Sequence, residues 1–172
     1  MSKIYNRRSI RVRGYDYSQE GMYFVTICTQ NRRHVLGNIM NVGAPAHRCP
    51  ENKKIKIDLS KEGKIVEKYL NNINIIYRNI ELGKYVIMPN HVHLIINIKT
   101  GHLWAGAPTR DNPITIAKII NSLKTITSKQ IGYSIWQRNY YEHIIRNEKE
   151  LYKIMEYIEF NPLKWNEDEY YK

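Results

Sequence analysis

Two histidines one residue apart, His91 and His93, lie within Met88-Pro89-Asn90-His91-Val92-His93-Leu94-Ile95-Ile96-Asn97-Ile98. Pro-Asn is a turn signal, and the Val, Leu and Ile that follow read as a buried strand. Alternate side chains of a strand share a face, so both imidazoles point the same way while Val92 and Leu94 point the other. Imidazoles one pleat apart can reach a single ion, and neutral imidazole is a common metal ligand. The same spacing suits two histidines at a strand end that are wet or bonded to neighbours, so partners elsewhere in the chain have to decide. Tyr157 and Asn161 form a second pair, one helical turn apart in Tyr157-Ile158-Glu159-Phe160-Asn161-Pro162. They fall to one side of the apolar stripe Leu151, Ile154, Met155 and Ile158. A phenol and an amide oxygen at that edge could overhang the histidines. They could equally be a half-buried tyrosine and an asparagine closing the helix.

The elements that would position these groups can be read in order. Tyr23-Phe24-Val25-Thr26-Ile27-Cys28-Thr29 is a strand of aromatic and β-branched residues, running into the basic turn Gln30-Asn31-Arg32-Arg33. Residues 37–58 lack a sustained period and read as a loop, with a short strand or edge near Lys54 to Asp58. From Ser60, a plausible N-cap, Ile65, Val66, Tyr69, Leu70, Ile73, Ile76 and Tyr77 recur at helical spacing. Glu81 to Met88 reads as a strand joined by the Pro-Asn turn to the histidine strand, which predicts a hairpin. After a loop over Gly101 to Asp111, Asn112 near the cap and Pro113 in the first turn predict a second helix. Ile116, Ile119, Ile120, Leu123 and Ile131 form its buried side, with Lys118, Lys124 and Lys129 available to solvent or phosphate. A strand follows at the end of Trp136 to Arg146. Asn147 with Glu150 then opens the last helix, which ends before Pro162. Strand-helix-strand twice over, with the middle strands as a hairpin, predicts an α+β, ferredoxin-like split βαβ sandwich with an appended C-terminal helix.

A length of 172 residues suits one domain with a real core, with a basic arm over 1–20 and a loose acidic tail over 166–172. The formal charge of +11 makes a polyanion the first partner to consider. Arg7-Arg8-Ser9-Ile10-Arg11-Val12-Arg13, read as an extended arm, puts Arg11 and Arg13 on one face suited to phosphate; the alternative is a solvated basic terminus. No apolar run is long enough for a membrane span or of signal-peptide type, so a cytoplasmic protein without a membrane partner is expected. Cys28 and Cys49 are too few for a disulfide framework.

Taken together, these pieces carry a resemblance. Pro89-Asn90-His91-Val92-His93-Leu94 resembles the His-hydrophobe-His motif of the single-tyrosine HUH transposases, and within them the REP-associated tyrosine transposases and related insertion-sequence enzymes. The resemblance extends over Arg7 to Arg11, Gly14-Tyr15-Asp16-Tyr17, Tyr23 to Arg33, Val86 to His93, Trp136-Gln137-Arg138-Asn139-Tyr140-Tyr141-Glu142-His143 and Tyr157-Ile158 with Asn161-Pro162. It implies a metal-dependent endonuclease and strand transferase acting on single-stranded DNA with hairpin or palindromic elements. By the same resemblance, His91 and His93 match the metal-binding pair, Asn161 the position completing that site, and Tyr157 the nucleophile forming a 5′-phosphotyrosine. Mg²⁺ or Mn²⁺ is the implied cofactor, the nitrogen ligands making Mn²⁺ a fair rival. Tyr140 and Tyr141 are competing tyrosines. Arg11, Arg13, Arg32, Arg33 and Arg138 are candidates for contact with the DNA backbone. The family includes homodimers and monomers. The rival readings are an inactive hairpin-binding module and a metal-dependent hydrolase that uses water.

Overall fold

The computed structural model describes residues 19–42, 54–99 and 114–168, together with Tyr170. Arg11, Arg13, the loops at 43–50 and 101–111, and Asn112 with Pro113 lie outside the described residues.

Strands β1 (Gly21–Cys28), β4 (Ile80–Ile87), β5 (His91–Ile98) and β6 (Tyr141–Ile145) form an antiparallel sheet ordered β4-β5-β1-β6. A separate hairpin, β2 (Gly37–Val42) with β3 (Lys54–Leu59), is inserted between β1 and the first helix. The helices are α1 (Lys61–Asn71), the single turn α2 (Ile73–Ile76), α3 (Ile116–Ile131) and α4 (Glu148–Phe160), the last continuing into a 3₁₀ stretch over Asn161–Glu167. Without the hairpin, the strand order and helix placement are those of the expected ferredoxin-like split βαβ with an appended helix.

Sequence patterning explains why both faces of the sheet are used. Tyr23, Val25 and Ile27 alternate with Phe24 and Thr26, and a strand sends alternate residues to opposite faces. The first set joins Val92, Leu94 and Ile96 and packs with Val66, Leu70, Ile116, Ile119 and Ile120 of α1 and α3. The second face is covered by α4 through a smaller core of Phe24, Ile95, Ile145 and Ile158, with Leu151, Ile154 and Met155 against it. Register then fixes the neighbours on that face. Phe24 lies opposite Ile95 and His143, Thr26 opposite His93 and Tyr141, and Cys28 opposite His91.

Caps set the helix ends. Ser60 accepts from the Gly63 N–H at 3.0 Å, as its position before α1 predicts. Gly63 allows α1 to press onto the chain entering β2, because a Cβ there would stand 2.0 Å from the Leu36 carbonyl oxygen. Asn147 accepts from the Glu150 N–H at 2.9 Å, but Glu150 reaches back to the Arg146 N–H at 2.8 Å, one residue earlier than a capping box requires.

Four expectations need correction. The stretch 37–42 is a strand and not a loop, because pairing with β3 outweighs the weak strand preference of Gly37, Asn38 and Asn41. The first helix breaks at Asn72, so Ile73 is buried in the separate turn α2 while Ile75 and Ile76 are exposed. The cap of α3 is Thr115, which accepts from the Lys118 N–H at 3.2 Å, and not Asn112. Lys124 is buried and not a solvent-facing cation. Its ammonium donates to the carbonyls of Gln137, Arg138 and Asn139 at 2.9, 3.3 and 3.0 Å. Among the described residues, no helix is long and apolar enough to cross a membrane.

Candidate metal and nucleophile site

The tight link between β4 and β5 places the histidines. Pro89 and Asn90 make the turn, and the Met88 N–H closes onto the His91 carbonyl at 2.8 Å. The end of β1 clasps the same turn, with the Thr29 N–H and hydroxyl both donating to the Asn90 carbonyl, at 2.8 and 3.0 Å. His91 and His93 are almost fully buried, at 0% and 1% exposure, and their Nε2 atoms lie 3.0 Å apart.

Groups behind each ring determine its protonation. The Asn90 amide donates to the carbonyls of Arg32 and Tyr170 at 3.2 and 2.7 Å, which leaves its Oδ1 as the acceptor facing His91 Nδ1 at 2.7 Å. His91 therefore carries its proton on Nδ1, and its Nε2 presents a lone pair. His93 Nδ1 meets the Thr26 hydroxyl at 2.8 Å. A hydroxyl can donate or accept, so His93 can hold its proton on Nε2 when the site is empty of cation or on Nδ1 when a cation takes Nε2. Burial pushes His91 down to about 4, with the Asp168 carboxylate opposing that shift and Arg32 reinforcing it. Burial, then the neighbouring His91, holds His93 well below the ordinary imidazole range. Both rings are neutral near pH 7, the state a metal ligand needs.

The appended helix brings the other groups. With Ile154, Met155 and Ile158 packed onto the sheet, Tyr157 and Asn161 arrive over its histidine end. The Tyr157 hydroxyl is 3.3 Å from His93 Nε2, and its ring stands edge-on to Phe24 and His93. Asn161 is 3% exposed, and its amide donates to Asp168 Oδ2 at 2.7 Å. That bond turns Asn161 Oδ1 inward. This oxygen is close enough to His91 to favour the ring's charged form, yet it makes no hydrogen bond of ordinary geometry among the described residues. Asp168 Oδ2 is itself 4.0 Å from His91 Nε2.

The chemistry of the donor set follows from this geometry. His91 Nε2, His93 Nε2, Asn161 Oδ1 and Asp168 Oδ2 are all electron-pair donors, and the ligand atoms of His91, His93 and Asp168 lie within 4.8 Å of one another. A buried cluster of acceptors in which Asn161 Oδ1 has no donor among the described residues suits a cation, and a mixed nitrogen and oxygen set suits a divalent transition ion better than Mg²⁺. The residues present therefore fit such an ion.

His91, His93, Tyr157 and Asn161, which spacing alone leaves as two separate pairs, thus lie together. Tyr141 is not in this cluster: it is 39% exposed on β6, across the Phe24 ring at 6.4 Å. Arg32 approaches the site, its guanidinium 5.1 Å from the centre of the Tyr170 ring, and its backbone lies in the left-handed region at φ 54°. Arg33 and Arg138 are exposed on the Gln30–Arg33 turn and the Trp136–Arg138 segment. That segment is joined to the same end of β1 by Gln30 N–H to Ile135 O and Gln137 N–H to Cys28 O, at 2.7 and 2.9 Å. Sequence reading missed Thr26, Asn90, Asp168, Trp165 and Tyr170. Trp165 and Tyr170 hold the His91 ring at centroid distances of 6.0 and 4.7 Å. The Pro-Asn turn signal pointed to Asn90 without its role, and nothing in the acidic tail separated Asp168 from its neighbours.

No family model matches the chain. It is 35% identical over 183 residues to an uncharacterized protein of Haemophilus influenzae, covering 98% of this chain and 94% of that one. It is 26% identical over 165 residues to a candidate REP-associated tyrosine transposase of the same organism, covering 87% and 74%. Its fold is similar to that of a REP-associated tyrosine transposase solved bound to a REP hairpin, with a TM-score of 0.60, 20% identity, and coverage of 90% and 73%.

Proposed function

We propose that this chain, 26% identical to one candidate REP-associated tyrosine transposase and sharing the fold of a solved one, is a member of that family and cuts and rejoins single-stranded DNA beside short hairpins with Tyr157 as nucleophile. The observation that carries the reading is the Tyr157 hydroxyl 3.3 Å from His93 Nε2, beside a buried set of acceptors. Tyr157 is 41% exposed, so a phosphodiester arriving from solvent can meet a tyrosine whose hydroxyl stands at the rim of a cation site.

His91 and His93 would hold the ion, with Asn161 and Asp168 supplying oxygen. Mg²⁺ or Mn²⁺ there supplies a positive charge that polarises the scissile phosphate and stabilises the departing oxygen. Asn90 and Thr26 fix the rings from behind. Phe24 and the packed side of α4 hold the phenol ring edge-on, so that it keeps its position as the strand arrives. In the cutting step, Tyr157 Oη forms a bond to phosphorus, its proton leaves to solvent, and the bond from phosphorus to the 3′ oxygen breaks. The products are a 5′-phosphotyrosine and a free 3′-OH once that oxygen takes up a proton. The number of phosphoester bonds is unchanged, so attack by another 3′-OH reseals a strand and returns the phenol without an outside energy source.

The charge of +11 and the exposed Arg33 and Arg138 near the site supply backbone attraction. A hairpin as ligand rests on the related transposase that is bound to one. The test is a labelled, hairpin-bearing single strand incubated with protein and Mn²⁺, then denatured. Label that remains on the protein, and disappears in Tyr157→Phe, is expected. Cleavage without attachment would replace the tyrosine by water. Retention only before denaturation would leave an inactive hairpin-binding module.

A further inference from the structure

Between α4 and the β1–β6 side of the sheet runs a groove of about 640 Å³ that opens onto the site just described. Phe24 lies in it, 9% exposed, with Tyr141 and Tyr157 standing edge-on at centroid distances of 6.4 and 6.1 Å and interplanar angles of 69° and 85°. The apolar stripe of α4 covers Phe24, Ile95 and Ile145 but leaves Tyr141 exposed, so a flat aromatic ring faces the groove's opening.

The polar groups of the groove are arranged in a particular way. Glu150 is committed through both oxygens: Oε1 to His143 Nε2 at 2.6 Å and Oε2 to the Arg146 N–H at 2.8 Å. His143 is thereby held from one side, and its Nδ1 has no hydrogen-bond partner among the described residues. Lys153 stands exposed on α4, one turn before Tyr157, and borders the groove. Ring faces, one fixed polar edge and a cation at the rim match the three parts of a nucleotide: base face, base edge and phosphate.

The geometry points to a subsite in this groove for one unpaired base of the DNA strand beside the phosphate that Tyr157 attacks. The base stacks on Tyr141, its edge faces His143, and its phosphate meets Lys153. A base inside a duplex has both faces already stacked, so only an unpaired one can use the Tyr141 ring. Because Tyr157 is itself a wall of the groove, the base that occupies it neighbours the bond to be cut. This inference rests on the reading of Tyr157 as a nuclease nucleophile.

The test couples the ring to the base. A fluorescein-labelled hairpin with an unpaired flank is prepared with each unpaired nucleotide in turn made abasic, and binding is followed by anisotropy in EDTA, without chemistry. Tyr141→Ala is expected to weaken binding about tenfold, and Tyr141→Phe to leave it within twofold. One abasic position should weaken the wild type by a similar factor and cost Tyr141→Ala nothing further. Should Tyr141→Ala fail to fold, Tyr141→Leu, which fills the volume without a flat face, gives the same comparison. Equal abasic penalties in wild type and variant, or no binding of the unpaired flank, would overturn the subsite. Parallel incubation with Mn²⁺ separates the two readings. Adducts with additive penalties keep the nuclease and remove the subsite, whereas coupled penalties without adducts keep the subsite and remove the nuclease.

Discussion

His91 Nε2 and His93 Nε2 face each other across 3.0 Å, and the groups behind the two rings do not constrain them equally. Asn90 fixes His91 in one tautomer, because its amide is already used by two carbonyls and only its oxygen remains for the ring. Thr26 leaves His93 free to change, since its hydroxyl serves as donor or acceptor. The pair can thus share a proton in the absence of a cation and offer two lone pairs in its presence. A cation entering between the rings would therefore require little reorganisation.

Asn90→Ala should reduce Mn²⁺ affinity about 10–100-fold, the usual cost of losing a group that orients a ligating histidine. Isothermal titration measures it. Thr26→Val should act in the same direction more weakly, because Thr26 does not fix a single tautomer. An Asn90→Ala protein that binds Mn²⁺ as well as wild type would detach Asn90 from the metal site.

The metal-free protein should lose stability on acidification between about pH 6.5 and 4. His91 in the unfolded chain takes up a proton near its ordinary value of 6.5, whereas the buried ring resists until about 4. In that window the unfolded state binds more protons, so stability is fully present above it and falls as the pH drops through it. The contribution is on the order of 3 kcal/mol for His91. Urea denaturation at a series of pH values should show this slope in wild type and a flatter one in His91→Gln.

Gly63→Ala should destabilise by more than about 1 kcal/mol, since α1 would have to move off the Leu36 carbonyl, 2.0 Å from the added Cβ. Gly132→Ala should cost about 1 kcal/mol for a different reason. The residue closes α3 at φ 95° with open space around it, so only the backbone conformation resists. Chemical denaturation of both variants compares a steric with a conformational penalty.

Lys124→Met should lower stability by about 1–3 kcal/mol, because three carbonyls of Gln137, Arg138 and Asn139 lose their donor. Those carbonyls belong to the segment that presents Arg138, so binding of a single-stranded hairpin should weaken along with stability. Unchanged hairpin affinity would place Arg138 outside the DNA contact.

The order of the main elements was legible because hydrophobic period is local: alternation in Tyr23 to Thr29 and helical spacing in Leu151 to Ile158 each report on their own backbone. The convergence of His91, His93, Tyr157 and Asn161 was legible only as a possibility, because it depends on which end of the sheet α4 crosses. Ile95 and Ile145 on the sheet decide that crossing, and no periodicity in α4 names its partners. Strand β2 was hidden because its glycine and asparagines are poor strand formers rescued by pairing. Lys124 was hidden because a lysine at a helical position reads the same whether its ammonium meets water or three carbonyls. Asp168 and Tyr170, in the stretch read as a loose tail, contact the site through Asn161, Asn90 and the His91 ring, contacts made across 80 residues in the case of Asn90 and Tyr170.

Crystals of the protein soaked in Mn²⁺ and measured at an X-ray energy where manganese scatters anomalously give the most direct test of the site. The account predicts one strong anomalous peak bounded by His91 Nε2, His93 Nε2 and the side-chain oxygens of Asn161 or Asp168, next to the Tyr157 hydroxyl. A peak elsewhere, with no ion between the two imidazoles, would contradict it.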